Sequence, residues 1–289
     1  MRVVDNLSTG TLRNLEHLTD RVDVVVGDLT ESDVCRSVVQ DMDLVFHAAA
    51  LPSVPRSMKD PWGSYQHNVT ATMQLLLASM EHGVRRMVYS SSSSVYGDTP
   101  ILPKIESMEP LPRSPYAAAK LAGEQFVLGF ARAGLLKGVA LRYFNVFGPR
   151  QDIGSAYAAV IPIFLAAARD GTAASIFGDG KQTRDFTYVE NVVEANLLSA
   201  FGPDESTNGT VFNVGMGDRI SLIQLLGHVS EVTGRHLVAE YGPARDGDVR
   251  DSLASLERSK TLLGYSPAVG LIEGLQRTWQ WFKVGASAA

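Results

Sequence analysis

The sequence predicts an α/β fold built on a doubly wound parallel sheet, with a smaller α/β domain after it. Three observations predict it: short β-branched runs alternate with helical patterns from Val22 to Val146, those runs are apolar along their whole length, and the rhythm loosens after Gly148. A strand that is apolar on both faces belongs in a sheet covered on both sides, as parallel sheets with crossover helices are. At 289 residues, 45% hydrophobic and 20% charged, the composition is globular, with room for two domains.

The elements follow in order. Arg2-Val3-Val4 reads as a short strand ending at Asp5-Asn6. VDVVVGD is a second strand, followed by the helix ESDVCRSVVQ, and DLVFHAAA a third, followed by PWGSYQHNVTATMQLLLASMEHG. RRMVYSSSS leads into the helix SPYAAAKLAGEQFVLGFARAG, and GVALRYFNV closes the sheet. Beyond Pro149 come a helix over AAVIPIFLAAARDG, a turn at FGDGKQ, and helices near VENVVEANLLSAF, SLIQLLGHVSEVTG and LIEGLQRTWQWF. The expected division is 1–150 and 151–289, with the segment around 183–201 packing back onto the first domain.

Composition excludes some functions. A net charge of -5, from 26 basic against 31 acidic residues, offers no basic field for nucleic acid or an anionic membrane. The single cysteine, Cys35, rules out a disulfide within the chain and gives no support to a metal cluster, so a buried structural thiol is expected and no metal. No run reaches the ~18 apolar residues of a membrane span, and Met1 is not followed by a basic and then apolar leader. The chain reads as cytoplasmic.

Ligands of doubly wound sheets bind beyond the carboxyl ends of the strands, which singles out Asp5-Asn6, Asp28-Leu29, His47 to Ala50, Ser90 to Ser94 and Asn145. On the next helix Tyr116 and Lys120 stand four residues apart, one turn along one face. An ammonium there favours phenolate and lowers a pKa that starts near ~10 toward that of a general base. By itself the spacing more often marks a Tyr packed beneath a Lys stem. The preceding run SSSSSVYG shifts the balance, because five hydroxyls at the end of a buried strand are poorly explained by packing. Asp5 can accept hydrogen bonds from both ribose hydroxyls of an adenosine and repel a 2′-phosphate, which predicts NAD over NADP; a turn or helix cap is its other reading. His47 has no second ligand at metal spacing and is expected to be structural.

Together VVDNLSTG, GDL, HAAALPSVPRS, SSSSSVYGD, SPYAAAK, LRYFNVFGPRQ and FGDGKQTRDFTYVENVVEA resemble, in order and over nearly the whole chain, the extended short-chain dehydrogenase/reductase family, in particular its nucleotide-sugar epimerases and dehydratases. The resemblance implies a Rossmann-like NAD-binding domain and a smaller substrate-binding C-terminal domain. It makes Tyr116 the base, Lys120 its partner and a ligand of the nicotinamide ribose, and Ser92 the group that bonds the reacting sugar oxygen. Asp5 and Asn6 would hold the adenosine ribose, Asp28 and Leu29 flank the adenine, and Ala48 and Ala49 line the dinucleotide's path. The matching substrate positions are Ser53, Ser93, Asn145, Val160, Arg184 and Arg245, the two arginines on the diphosphate, where forked cationic donors suit the charge. A homodimer through the helices around Trp62 to His82 and Ser114 to Ala133 is also implied.

Dehydratases and decarboxylases of this group place an acidic residue in the serine motif, as in T-D-E-V-Y-G; here Ser92-Ser93-Ser94 stand there. That favours an NAD-dependent 4-epimerase acting through a transient 4-keto UDP-sugar. HAAALPSVPRS, AYAAVIP and the small Ser252 look most similar to epimerases that accept UDP-N-acetylglucosamine, so UDP-GlcNAc/UDP-GalNAc ranks ahead of UDP-Glc/UDP-Gal. The alternatives are a nucleotide-sugar 4,6-dehydratase or reductase, and a truncated, non-catalytic remnant. The last arises because the family's G-x-x-G-x-x-G loop, on which the NAD pyrophosphate rests, belongs upstream of VVDNLSTG and is not in the sequence. The first βα unit, central in a 3-2-1-4-5-6 sheet, is thus expected to be missing, with Met1 internal to a longer reading frame.

Overall fold

The structure is a computed structural model and describes residues 1–151, 159–244 and 249–286. In chain order the elements are β1 (Arg2–Asp5), a 3-10 turn, β2 (Asp23–Val26), α1 (Ser32–Val39), β3 (Leu44–His47), α2 (Val54–Lys59), α3 (Pro61–Tyr65), a π-helical turn, α4 (Ala71–Glu81), β4 (Arg86–Ser92), α5 (Pro115–Arg132), β5 (Lys137–Tyr143) and β6 (Val146–Phe147). They continue with α6 (Val160–Asp170), β7 (Ala174–Phe177), β8 (Thr183–Arg184), β9 (Thr187–Tyr188), α7 (Val189–Phe201), α8 (Asp204–Thr207), β10 (Thr210–Val214), β11 (Ile220–Ser221), α9 (Leu222–Thr233), β12 (Ala239–Gly242) and α10 (Leu271–Ala286). The helix expected from Pro61 on is continuous to Glu81, as α3, a π turn at Gln66–Thr70 and α4, and a short helix not expected from the sequence, α2, precedes it. Pro55 and Pro61 each stand in the first turn of a helix, where a missing N–H costs nothing, and so mark the separate starts of α2 and α3.

Contacts gather the chain into two compact units. The first comprises Met1–Val95, Pro112–Arg142 and Leu198–Phe212; the second comprises Tyr96–Leu111, Tyr143–Leu197 and the chain from Asn213 onward. The expected division was 1–150 and 151–289 with about 183–201 returning to the first domain; the two units divide the chain at other points, and of that returning segment only residues 198–201 fall in the first unit. Physical ties hold together the separated segments of each unit. In the first unit the buried Arg86 on β4 donates to the carbonyls of Ser199 (2.7 Å), Ala200 (3.1 Å) and Gly202 (2.9 Å), satisfying the carboxyl end of α7, and it pairs with Asp204. In the second, residues 104–106 are held by Asn213, whose Nδ2 donates to the Lys104 carbonyl (2.8 Å) and whose N–H donates to Glu106 Oε1 (2.8 Å).

The first unit's main sheet has the order β10-β5-β4-β3, with β3 parallel to β4 and Leu44 opposite Arg86. β1 and β2 form a separate parallel pair, Arg2 opposite Asp23 and Asp5 opposite Val26. β1 and β3, between which a central strand was expected to be missing, are not hydrogen-bonded to each other. Of the apolar runs read as two-sided strands, those of β4 and β5 are buried, Met87, Val88, Val139, Ala140 and Leu141 each being 0–1% exposed, whereas β1, β2 and β3 are only partly covered, with Val26 60% and Phe46 45% exposed. Each large side chain among them contributes roughly 1.5–3 kcal/mol of burial. Cys35 is part of this core, donates to the Leu29 carbonyl at 3.2 Å, and burial pushes its thiol up to about 11, so it is inert. The second unit packs α6, α9 and α10 around Phe147, Phe164, Ile176, Leu225 and Phe282, with the small pairs β6-β9, β7-β12 and β8-β11 beside them. Among the described residues no helix is long and apolar enough to cross a membrane.

Candidate active site

The first unit builds its reactive group from the end of β4 and the first turns of α5. Ser114 caps α5, its Oγ accepting the N–H of Ala117 at 3.2 Å, and Pro115 occupies the first turn. That start fixes the phase of the helix, so Tyr116, Lys120 and Glu124 follow one another a turn apart. Ser92, the last residue of β4, hydrogen-bonds the Tyr116 hydroxyl and accepts from the N–H (3.2 Å) and Oγ (2.9 Å) of Ser94. Ser92, Tyr116 and Lys120, paired from sequence alone, are therefore brought together; Ser93 lies one residue on, half-buried, in the following 3-10 turn.

The electrostatics differ from expectation. Burial raises the Tyr116 phenol above its ordinary value, and the Ser92 hydroxyl only partly opposes this. Burial also pulls Lys120, 3% exposed, down to about 7. Desolvation disfavours both charged forms, and in the ligand-free protein it outweighs the attraction between ammonium and phenolate that the spacing suggested. Glu124, fully buried, is held by Arg142 on β5 through Nε (2.9 Å) and Nη2 (2.6 Å) and by Ser91 Oγ (2.6 Å). This fork ties α5 to β4 and β5 immediately beneath the reactive turn. Sequence reading missed it because partners 18 and 33 residues apart carry no local signal.

At the edge of β1 the residues fit the adenosine end of NAD. Asp5 is exposed, and its Oδ1 accepts the N–H of Leu7 at 2.7 Å. A Cβ on Gly10 would stand 2.7 Å from Asp5 Oδ2, so glycine keeps that oxygen open to a ligand. Asn6 Nδ2 donates to Asp28 Oδ2 at 2.9 Å, and the Thr30 N–H donates to Asp28 Oδ1 at 2.8 Å. Burial pushes Asp28 upward, but the Thr30 and Asn6 bonds, with His67 nearby, leave it below the usual carboxylate range. Leu29 is 7% exposed and its side chain joins the core, so only its backbone is left to flank a base. Ala48 and Ala49 are exposed on the loop after β3. Asn68 pins that loop, accepting the Leu51 N–H (3.1 Å) and donating to the Leu51 carbonyl (3.2 Å). Ser53 caps α2 at φ 100°, a strained conformation for a residue with a side chain. His47 is 2% exposed, bonds Thr72 Oγ1 at 2.8 Å, and is driven to about 3 by burial and then by the Lys120 charge, so it is a neutral structural imidazole.

In the second unit Asn145 is half-buried and donates to the Asp185 carbonyl at 3.1 Å. Arg184 lies on β8, where its Nη1 donates to the carbonyls of Thr183 (2.9 Å) and Arg250 (3.1 Å). Ser252 stands across from it on the neighbouring segment, its N–H on the Thr183 carbonyl at 3.1 Å and its buried Oγ without a partner among the described residues. Val160 begins α6 and packs against this unit's core. Arg245 lies outside the described residues. Asp185, unnoticed in the sequence, is fully buried and accepts the N–H groups of Met216 (2.7 Å), Gly217 (3.1 Å) and Ala254 (3.1 Å). Burial raises it to about 6 despite these bonds. Its place at the centre of TRDFT was the available clue.

Known proteins share this arrangement along nearly the whole chain. A UDP-glucose 4-epimerase of Mycolicibacterium smegmatis is 37% identical over 284 residues, covering 97% of this chain and 90% of that one. A UDP-N-acetylglucosamine 4-epimerase from Methanobrevibacter ruminantium M1, solved in complex with UDP-N-acetylmuramic acid, superposes with a TM-score of 0.93 at 38% identity, covering 98% of this chain and 90% of that one. A UDP-glucose 4-epimerase from Thermotoga maritima, solved with UDP-glucose, gives a TM-score of 0.93 at 35% identity over 99% and 91% of the two chains. The profile of the NAD dependent epimerase/dehydratase family matches residues 1–215, and with Ser92, Tyr116 and Lys120 assembled as described, the chain belongs to that family of NAD-dependent enzymes.

Proposed function

We propose that the protein interconverts UDP-sugars that differ in configuration at C4, with UDP-GlcNAc/UDP-GalNAc preferred and UDP-Glc/UDP-Gal second. One observation carries the choice of reaction: no carboxylate stands in the Ser92–Ser94 stretch, and Glu124, one turn beyond Lys120, is locked by Arg142 and Ser91. A dehydratase or decarboxylase needs an acid–base group beyond the tyrosine to handle a further proton. A 4-epimerase needs one proton acceptor at O4 and a hydride carrier.

NAD, when bound, would supply the hydride acceptor and donor for C4. Tyr116 takes the O4 proton as C4 is oxidised and returns it once the configuration has inverted. Ser92, already bonded to Tyr116, orients O4. Lys120 in its charged form stabilises the phenolate against the burial that opposes it. Asp5, Asn6 and the backbone at Asp28-Leu29 would hold the adenosine end, and Ala48 and Ala49 leave room for the dinucleotide. Arg184, with Arg245, is assigned to the substrate's diphosphate, and Ser53, Ser93, Asn145, Val160 and Ser252 to its remainder. The enzyme acts as a homodimer through α3, α4 and α5. Coupled assays with UDP-GlcNAc and UDP-Glc in parallel test the reading: formation of the 4-epimer of either supports it, and a 4-keto-6-deoxy product would replace it. Tyr116→Phe lowers kcat by about 10²–10⁴ with little change in KM; full activity in that variant would remove Tyr116 from its role.

A further inference from the structure

Lys120 is a buried cation without an acidic partner. It is 3% exposed and forms no ion pair among the described residues. What faces it is an aromatic ring: Nζ stands 4.7 Å from the ring centroid of Tyr89, a fully buried residue near the middle of β4. A cation at that distance over an aromatic face is held by the ring's quadrupole, most strongly where water is excluded. The Tyr89 hydroxyl lies 3.4 Å from the Lys120 carbonyl, so the ring is fixed to the same helical turn whose side chain it faces.

We infer that Tyr89 is a positioning residue for the active site, its ring serving as the seat that holds the Lys120 amine and favours its charged form one helical turn from Tyr116. Two further observations support this. Gly123 occupies the interior of α5, where glycine is a poor helix former, and a Cβ there would meet the Tyr89 hydroxyl at 2.3 Å. The helix thus accepts an unfavourable residue at the one place that lets Tyr89 lie against it. Burial also drives the Tyr89 phenol far above its ordinary value, with the Tyr116 and Glu124 charges adding to the rise and Thr72 opposing it. Tyr89 therefore stays a neutral phenol: it is neither a rival base nor an anionic partner, and only its ring face can stabilise the cation.

The titratable and charged groups around this contact are Tyr116 and Glu124 on α5, His47 on β3 and Arg142 on β5. His47 is neutral, with its ring 5.5 Å from that of Tyr89, and Glu124 is engaged by Arg142 and Ser91. None of them replaces the ring as the ammonium's neighbour. The inference depends on the proposed reaction only for its catalytic consequence; the contact itself is testable without cofactor or substrate.

The test is an NMR titration of the cofactor-free protein labelled at the lysine side chain, with the Lys120 signal assigned by its loss in Lys120→Arg. Tyr89→Phe keeps the ring and is expected to leave the Lys120 pKa within about 0.3 unit of wild type. Tyr89→Leu removes the ring, and the pKa is expected to fall by about one unit. No fall in Tyr89→Leu, or an equal fall in Tyr89→Phe, overturns the inference. If Tyr89→Leu does not fold, phenylalanines of increasing ring fluorination at position 89 weaken the π face at nearly constant shape; the pKa should fall stepwise, and a flat series overturns the inference. In the loaded enzyme, loss of activity with rising pH should begin about one unit lower in Tyr89→Leu. A shifted titration with an unshifted activity profile leaves the ring contact standing and removes Lys120 from its role toward Tyr116.

Discussion

A buried hydroxyl without a partner among the described residues, Ser252 Oγ, and a buried carboxylate with three, Asp185, respond differently to substitution. Ser252 is small and nearly enclosed, and its side chain makes no hydrogen bond among the described residues. Ser252→Tyr adds bulk where the proposed 2-acetamido group is accommodated, so kcat/KM for UDP-GlcNAc should fall by about tenfold or more while that for UDP-Glc stays within about threefold; parallel steady-state assays decide. Asp185 is raised from 3.8 to about 6 because burial outweighs its three N–H bonds. A carboxyl whose folded pKa is raised binds its proton more tightly in the native state than in the unfolded chain. Its contribution is fully present below about pH 4 and is lost as pH rises through about 6, a change of about 3 kcal/mol at most. Asp185→Asn removes that pH dependence. It also turns an NH₂ toward backbone donors, so the variant should be less stable by about 1–3 kcal/mol at pH 7, and the gap should widen toward pH 4. Urea denaturation at both pH values measures this; a gap constant from pH 4 to 7 would contradict the raised pKa.

Within elements, α5 shows how one helix serves two demands. Its start is local chemistry, Ser114 and Pro115, and its phase places Tyr116, Lys120 and Glu124 in succession; both are legible in SPYAAAK. Its two interior glycines are not equivalent, and nothing in the sequence says so. Gly129 is exposed with nothing within 4 Å of an added Cβ, whereas at Gly123 the Tyr89 hydroxyl stands in the way. Gly129→Ala should therefore stabilise the protein by about 0.5–1 kcal/mol through helix propensity and chain entropy. Gly123→Ala should destabilise it by about 1–3 kcal/mol through overpacking. Opposite shifts in the thermal midpoint of the two variants are the expected result, and shifts of the same sign would mean that the Tyr89 approach is not tight. The segment after β3 shows the limit of periodicity: apolar spacing places one helix from Pro61 on, but not the π turn within it that carries Asn68 to the loop it pins.

For the whole molecule, the helices proposed to join two copies carry several exposed apolar residues: Trp62 is 65% exposed and stacks on Tyr65, and Leu77, Met80 and Phe126 are also exposed. Trp62→Glu combined with Leu77→Glu should shift a wild-type dimer to monomer in sedimentation velocity; a monomeric wild type would refute the proposed dimer. The sequence by itself determined what repeats locally or is carried by short motifs. Two-sided apolar strands alternating with helices specify the α/β class, and SSSSSVYG followed by a YxxxK helix brings Ser92, Tyr116 and Lys120 together, because the end of a strand and the first turns of the next helix meet at one sheet edge. Only the tertiary structure decided the rest. It divided the chain at Val95, Leu111, Arg142, Leu197 and Phe212 through such ties as Arg86 to the end of α7, and it buried Asp185. It also reversed the expected direction for Tyr116, since a pKa follows the balance between desolvation and neighbouring charge, and how much water a fold removes from a side chain depends on residues far away in the sequence.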